Sequence, residues 1–260
     1  MKLFVRQVKA LVKLSFLELW RRNDVFALVL LGLALMVPLS MASPFGAEGA
    51  SRYLDEVALL LVWGFSLFVA LGAGQRLFPP EFESRTIYPL LAKPVSRGRL
   101  LVGKYIGALA ASWSALAFFY ALWAASSLLR GGECLTVCFF QAFVLHALFA
   151  ALAVAAAVAG SFLLTPSAST TLLAILFPAM FFFGRHLPDY AENVSGVLRW
   201  LVNAFYWVAP HVEFFDMRQR LVHGWGGVEA GVFLAVVGYG VVYSAVLLFL
   251  AHFLFKRKRL

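Results

Sequence analysis

Long hydrophobic runs separated by short polar segments dominate the chain. Six of these runs reach or approach the roughly 20 apolar residues that a helix needs to cross a bilayer. The fifth run is short and contains Pro178. Because none shows the period-two alternation of a membrane β-barrel, the pattern predicts an all-α membrane protein with six transmembrane helices. The runs are Val25–Met41, Val57–Gly74, Tyr105–Leu129, Thr136–Leu164, Ser169–Gly184 and Ala230–Phe255.

Composition agrees with a membrane location. The 260 residues are 62% hydrophobic and only 13% charged, whereas soluble domains carry roughly 25% charged residues. The net charge of +9 fits basic residues gathered on the cytoplasmic side of a membrane. We expect no nucleic-acid partner, because the basic residues are not interleaved with aromatics as in single-strand binders.

The distribution of charge predicts the orientation. If both termini are cytoplasmic, the inner segments are 1–24, 75–104, 165–168 and 256–260. These segments hold 16 of the 22 Lys and Arg residues but only 4 of the 13 acids. The positive-inside rule therefore predicts a multi-pass protein of the cell (inner or plasma) membrane with both termini in the cytoplasm.

Two segments outside the spans have helical periodicity. In segment 1–24 four basic residues, Lys2, Arg6, Lys9 and Lys13, fall on one helical face, which predicts an amphipathic interfacial helix before the transmembrane domain 25–260. Between spans 5 and 6, segment 185–229 has apolar residues at helical spacing but no run long enough to cross. It predicts short outer helices, either interfacial or re-entrant.

Chemistry-bearing residues are scarce within the predicted spans, which contain no Asp, Glu, Lys or Arg. We find no catalytic constellation, P-loop or metal-ligand set, so the chain is expected to be non-catalytic, with no metal and no bound cofactor. Gln141 and His146 are candidate polar residues of a transport pathway, although an interhelical hydrogen bond explains His146 more simply. Cys134 and Cys138 are interpreted as packing residues, with a copper or sulfur role left open.

Small residues at four-residue spacing predict close helix packing. Gly103, Gly107 and Ala111 lie on one face of the third span, and such faces let membrane helices approach one another. The pattern supports a helical bundle, and a dimer seam remains an alternative.

The polar loop 79–99 has the signals of a short helix. Prolines at 79–80 suit a first helical turn, and Glu81 follows where the helix dipole favours an acid and where Arg85 could pair with it. Pro89 should stop or kink this helix, and Ser96 can cap the next one. The loop therefore predicts a charged helix lying on the inner membrane surface.

Three motifs of this region resemble the cytoplasmic loop of ABC-2-type permeases, the membrane subunits of ABC exporters. They are Glu-x-Glu-x-Arg-Thr-Ile from Glu81, Leu-Leu-Ala-Lys-Pro-Val-Ser-Arg from Leu90, and Leu-x-x-Gly-Lys-Tyr-x-Gly from Leu100. The aromatic-Pro-x-x-x-x-Phe-Asp stretch at 207–216 resembles the segment before the last span in that family. Pro89 departs from the pattern, since many relatives have an uninterrupted helix there. The size fits the small-permease branch, which includes permeases for copper-enzyme maturation.

The resemblance implies a division of labour between chains. A coupling helix in the loop would dock on a separate P-loop ATPase, with two ATPase copies and a second permease chain in the working unit. ATP and Mg would bind the ATPase, and this chain would support substrate export or conformational work. The cargo, and whether the permease pair is a homodimer or a heterodimer, stay open. The implied docking residues are Glu81, Phe82, Glu83, Arg85, Thr86, Ile87 and Tyr88.

Two other classes of function are compatible with the hydrophobic pattern. One is a stand-alone polytopic membrane enzyme or lipid-handling protein, and the other is a passive channel or secondary transporter. The missing catalytic set counts against the first. The absence of charged residues from the predicted spans counts against the second.

Overall fold

The computed structural model describes residues 2–20, 23–41, 48–84, 96–130 and 135–258, without the side chains of residues 2–8, 20, 23–26, 28, 36, 39–41 and 48–51. Within these ranges the protein is all-helical and has no strand. Two short 3-10 turns, Gly184–His186 and Val212–Phe215, interrupt the α-helices. The helices are α1 Lys2–Trp20, α2 Asn23–Met41, α3 Glu48–Gln75, α4 Pro79–Glu83, α5 Arg97–Leu129, α6 Val137–Leu163, α7 Pro166–Phe183, α8 Leu187–Asn193, α9 Gly196–Val208, α10 Arg218–His223 and α11 Ala230–Arg257.

Five helices, α3, α5, α6, α7 and α11, are long and apolar enough to cross a membrane, judged over the described residues. They contain the second to sixth predicted spans. The first predicted span lies within α2, a helix of 19 residues with Pro38 inside it, and some of its side chains fall outside the described set. The chain is therefore a multi-pass helical membrane protein.

Hydroxyl caps mark where three of the long helices begin. Ser96, Thr136 and Thr165 precede α5, α6 and α7, and each side chain accepts a hydrogen bond from the third residue after it. Such caps satisfy amide groups that a helix start leaves unpaired. The predicted cap at Ser96 is confirmed.

Helix α6 lies at the centre of the bundle. It contacts α3, α5, α7 and α11, and its stretch from Leu152 to Ala155 is fully buried. Alanines at many positions in α6 let the neighbouring backbones come close. Helix α3 lies close against it, since a Cβ added at Gly74 would lie 2.6 Å from the Cβ of Ala157.

The bundle has two ends, which helix direction and contacts define. The α4 end carries α4, the start of α5 and the ends of α6 and α11, joined by ring contacts between Phe78, Phe162 and Phe255. At the opposite end Asp55 of α3 forms an ion pair with Arg130, which follows α5.

The segment between α7 and α11 enters the bundle from the opposite end. The hydroxyl of Tyr239 accepts a hydrogen bond from His211 N at 2.9 Å, and the hydroxyl of Tyr243 donates to the carbonyl of Val208. Tyr239 lies nine residues into α11, or about 14 Å along the helix axis at 1.5 Å per residue. Residues 208–215 therefore reach about halfway along α11, and the segment is re-entrant relative to that helix.

Candidate functional site

The candidate docking site is built around the short helix α4, Pro79–Glu83. Pro79 and Pro80 start it, Glu81 is the acid in its first turn, and it ends at Glu83. The hydroxyl of Ser84 donates to the carbonyl of Pro80 at 2.6 Å and closes the turn. The predicted continuation of this helix, including Arg85, Thr86, Ile87 and Tyr88, lies outside the described residues.

Glu81 turns toward the bundle and pairs with Lys104 of α5. Its Oε1 lies 2.6 Å from Lys104 Nζ, and the two side chains are only 18% and 6% exposed. Lys104 also donates to the carbonyl of Leu77 at 2.5 Å and lies over the ring of Phe78. Because Lys104 is 23 residues away in the chain, helical spacing could not identify it as a partner. The ion pair fixes α4 to the first turns of α5.

Four phenylalanines form a second link, which we call the aromatic cluster: Phe78, Phe82, Phe162 and Phe255. Their ring centroids lie 5.1 to 6.3 Å apart, a separation at which aromatic rings attract. Phe78 and Phe255 are fully buried. Since Phe162 belongs to α6 and Phe255 to α11, the cluster joins α4 to the ends of two long helices.

Arg97 completes the arrangement by capping the end of α11. Its Nη1 donates to the carbonyls of Phe255, Lys256 and Lys258 at 2.9, 3.0 and 3.3 Å. Carbonyls at a helix C-terminus lack intrahelical partners and favour a cation nearby. The first residue of α5 therefore holds the last turn of α11 in place.

The described docking candidates face different directions. Glu81 and Phe82 contact the bundle, as above, whereas Glu83 is exposed and makes no ion pair with a described residue. Glu83 is therefore the described residue of α4 that presents a charge outward.

The small-residue face of α5 packs against α1 of the same chain. A Cβ added at Gly103 would lie 2.9 Å from the Cβ of Leu11, and one at Gly107 would lie 2.6 Å from the Cβ of Ser15. Ala111 is buried on the same face. The structure thus places Gly103 and Gly107 in an intrachain contact with α1.

The pathway candidate Gln141 lies near the opposite end. Its side-chain amide donates to the carbonyl of Val228 at 2.9 Å and its Oε1 accepts from Val228 N at 2.7 Å. This pair of bonds attaches the approach to α11 onto α6.

His146 is buried in a polar cluster that joins three long helices. Ser66 Oγ of α3 lies 2.5 Å from its Nε2 and the Tyr120 hydroxyl of α5 lies 3.2 Å from its Nδ1. Because Ser66 donates its single proton to the carbonyl of Trp63 at 2.9 Å, Nε2–H donates to Ser66 and Nδ1 accepts from Tyr120. Both ring nitrogens are satisfied, which agrees with the interhelical hydrogen-bond interpretation.

A small cavity connects this cluster with charged residues that the sequence pattern did not place there. Asp216 and Arg218 of the re-entrant segment line it together with His146 and Trp63, and the two charges pair with each other at 2.9 Å. The spans themselves carry no such charge, so only the backbone path of the segment brings them in. Within the described residues no group of three or more His, Cys, Asp or Glu could hold a metal; Cys138 is buried with a free thiol, and Cys134 lies outside that set.

A comparison with family models identifies the class of the protein. A model described as "ABC-2 family transporter protein" matches residues 27–260. The chain therefore belongs to the ABC-2 family of transporter proteins, whose members are generally non-catalytic membrane components. A comparison with curated proteins gives no match.

Proposed function

We propose that the chain is the transmembrane permease subunit of an ABC-2-type exporter that takes its energy from a separate P-loop ATPase. It has six spans, with α2 as the first, and the α4 end faces the cytoplasm together with both termini. Two ATPase subunits, which bind ATP and Mg, and a second permease chain complete the transporter. The exposed Lys9 and Lys13 of α1 and Lys256 of α11 support this orientation.

The attachment of α4 to three long helices carries the proposal. A docking element can transmit force only if it is firmly connected to what must move, and α4 is bound to α5 through the ion pair and to α6 and α11 through the aromatic cluster. A displacement of α4 by the ATPase would therefore shift these helix ends together. Closure of the ATPase dimer would then change the transmembrane bundle.

A charge reversal at Glu83 tests the docking surface. We expect Glu83→Arg to weaken binding of the ATPase and to lower permease-stimulated ATP hydrolysis by about tenfold, the effect of 1.4 kcal/mol. The reason is that the substitution turns an attraction across the contact into a repulsion. The measurement is ATP hydrolysis by the purified ATPase, identified by its P-loop, reconstituted with the permease in liposomes.

Glu192→Arg is the matched control, because Glu192 is also an exposed acid but lies in α8 at the opposite end. This variant should bind the ATPase and stimulate hydrolysis like the original chain. An equal loss of stimulated ATP hydrolysis in both variants would indicate a general charge effect. Full stimulation by Glu83→Arg would contradict docking at this residue.

A further inference from the structure

An apolar cavity of about 320 Å³ lies between α6, α7 and α11, and the end of α9 closes one side of it. It extends from Tyr243, near the middle of α11, toward the α4 end as far as Leu250. Leu250 is seven residues, or about 10 Å, from the end of that helix. Other lining residues include Ala156, Gly160, Leu172, Leu176 and Phe205.

The two polar side chains that line the cavity are already engaged. Ser169 Oγ accepts a hydrogen bond from Gln75 Nε2 at 2.6 Å, and the Tyr243 hydroxyl donates to the carbonyl of Val208. The remaining lining side chains are hydrocarbon or glycine. A cavity of this kind does not hold ordered water, because water needs two to four polar partners. Its ligand must therefore be a group without polar atoms.

The position of the cavity identifies the source of that group. The cavity lies between three membrane-spanning helices, at a depth where the surroundings are acyl chains. A helix from a second protein copy is about 10–12 Å across and would cover the cavity without filling it. A single acyl chain is narrow enough to enter and to make the dispersion contacts that an empty cavity forfeits.

We propose that this cavity binds one acyl chain of a phospholipid from the leaflet nearest the C-terminal end of α11. The chain passes between α7 and α11 and ends beneath Phe205 and Val208 at the tip of the re-entrant segment. The bound acyl chain contacts that tip and so connects α9 to the transmembrane helices. This site does not depend on the ATPase and stands apart from the proposed coupling function.

A photoreactive phospholipid tests the site. The purified full chain is reconstituted in phosphatidylcholine vesicles that contain a phosphatidylcholine with a diazirine in the middle of one acyl chain. After irradiation and digestion, mass spectrometry should find adducts at Leu173 and Leu176, which line the cavity, in excess over the exposed positions Val246 and Phe249 of α11. A similar yield at all four positions would overturn the proposal.

Variants that fill the cavity sharpen the test. Ala156→Trp places an indole in the cavity and should abolish most of the labelling at Leu176. Leu172→Trp provides a second filling variant from α7 in case the first does not fold. The matched control is Ala117→Trp on α5, which is exposed and does not line the cavity, so it should retain the adduct. Undiminished labelling in both folded filling variants would show that the acyl chain binds elsewhere.

Discussion

Replacing Lys104 with Met is expected to be among the most damaging single substitutions in the chain. The change keeps the length of the side chain but removes the partner of Glu81, whose Oε2 is already buried without a hydrogen bond among the described residues. Removing one member of a buried ion pair costs about 3–5 kcal/mol, because the remaining charge is left uncompensated. Thermal unfolding of the purified chain in detergent should show a large fall in stability.

Two further variants separate the ion pair from the loss of one charge. Lys256→Met removes a cation at the same end, but from an exposed position on α11, and should change stability by no more than about 0.5 kcal/mol. Lys104→Met combined with Glu81→Leu removes both charges and should recover much of the loss, since replacing a whole buried pair with apolar groups is often neutral. If the double variant is less stable than Lys104→Met alone, the pair is not the origin of the effect.

The transmembrane part of the fold was predictable because the bilayer imposes a length on every apolar run. The runs 57–74, 105–129, 136–164, 169–184 and 230–255 each lie within or closely match a helix long enough to cross. Helix ends were less predictable, because a helix can continue past the hydrocarbon region. α3 begins at Glu48, before the predicted run, where the residues are polar but the helix persists. The start of α5 at Arg97 could be predicted, because Ser96 marks it as a cap.

The contacts of the candidate site were harder to predict from local patterns. Spacing suggested Arg85 as the partner of Glu81, since helical neighbours three or four residues apart can meet. The structure brings Lys104 of α5 to Glu81, and Arg85 lies outside the described residues, so its pairing with Glu81 stays a prediction. Local patterns also could not place Asp216 and Arg218 near His146. Their position depends on how far the re-entrant segment enters the bundle.

The small-residue face around Gly107 was predictable from a local pattern. The spacing of Gly103 and Gly107 predicted a close helix contact, and the structure identifies α1 as the partner. Helix α1 packs against α5 at Gly103 and Gly107, so α1 is held by the bundle itself. This contact bears on function, because α5 also carries Lys104, one turn away from Gly107. Loss of the α1 contact should therefore loosen the part of α5 to which α4 is attached.

Gly107→Val is accordingly expected to destabilise the chain by roughly 1–3 kcal/mol, the usual cost of forcing extra atoms into a close-packed contact. The first added carbon would lie 2.6 Å from the Cβ of Ser15 and 3.0 Å from the carbonyl oxygen of Val12. The second of these atoms belongs to the backbone, so α1 must move as a whole. The measurement is again thermal unfolding in detergent, with protease sensitivity of α1 as a local readout.

The paired variants Gly107→Ala and Gly238→Ala isolate the contact from the intrinsic preferences of glycine. Both positions lie inside long helices, but an added Cβ at Gly238 meets no atom within 4 Å. Alanine is about 1 kcal/mol more favourable than glycine within a helix, so Gly238→Ala should be neutral or stabilising. At Gly107 the same substitution should be destabilising, because the close approach of α1 outweighs that gain. A stabilising Gly107→Ala would mean that α1 does not pack at this distance, and the attachment of α1 to α5 would have to be abandoned.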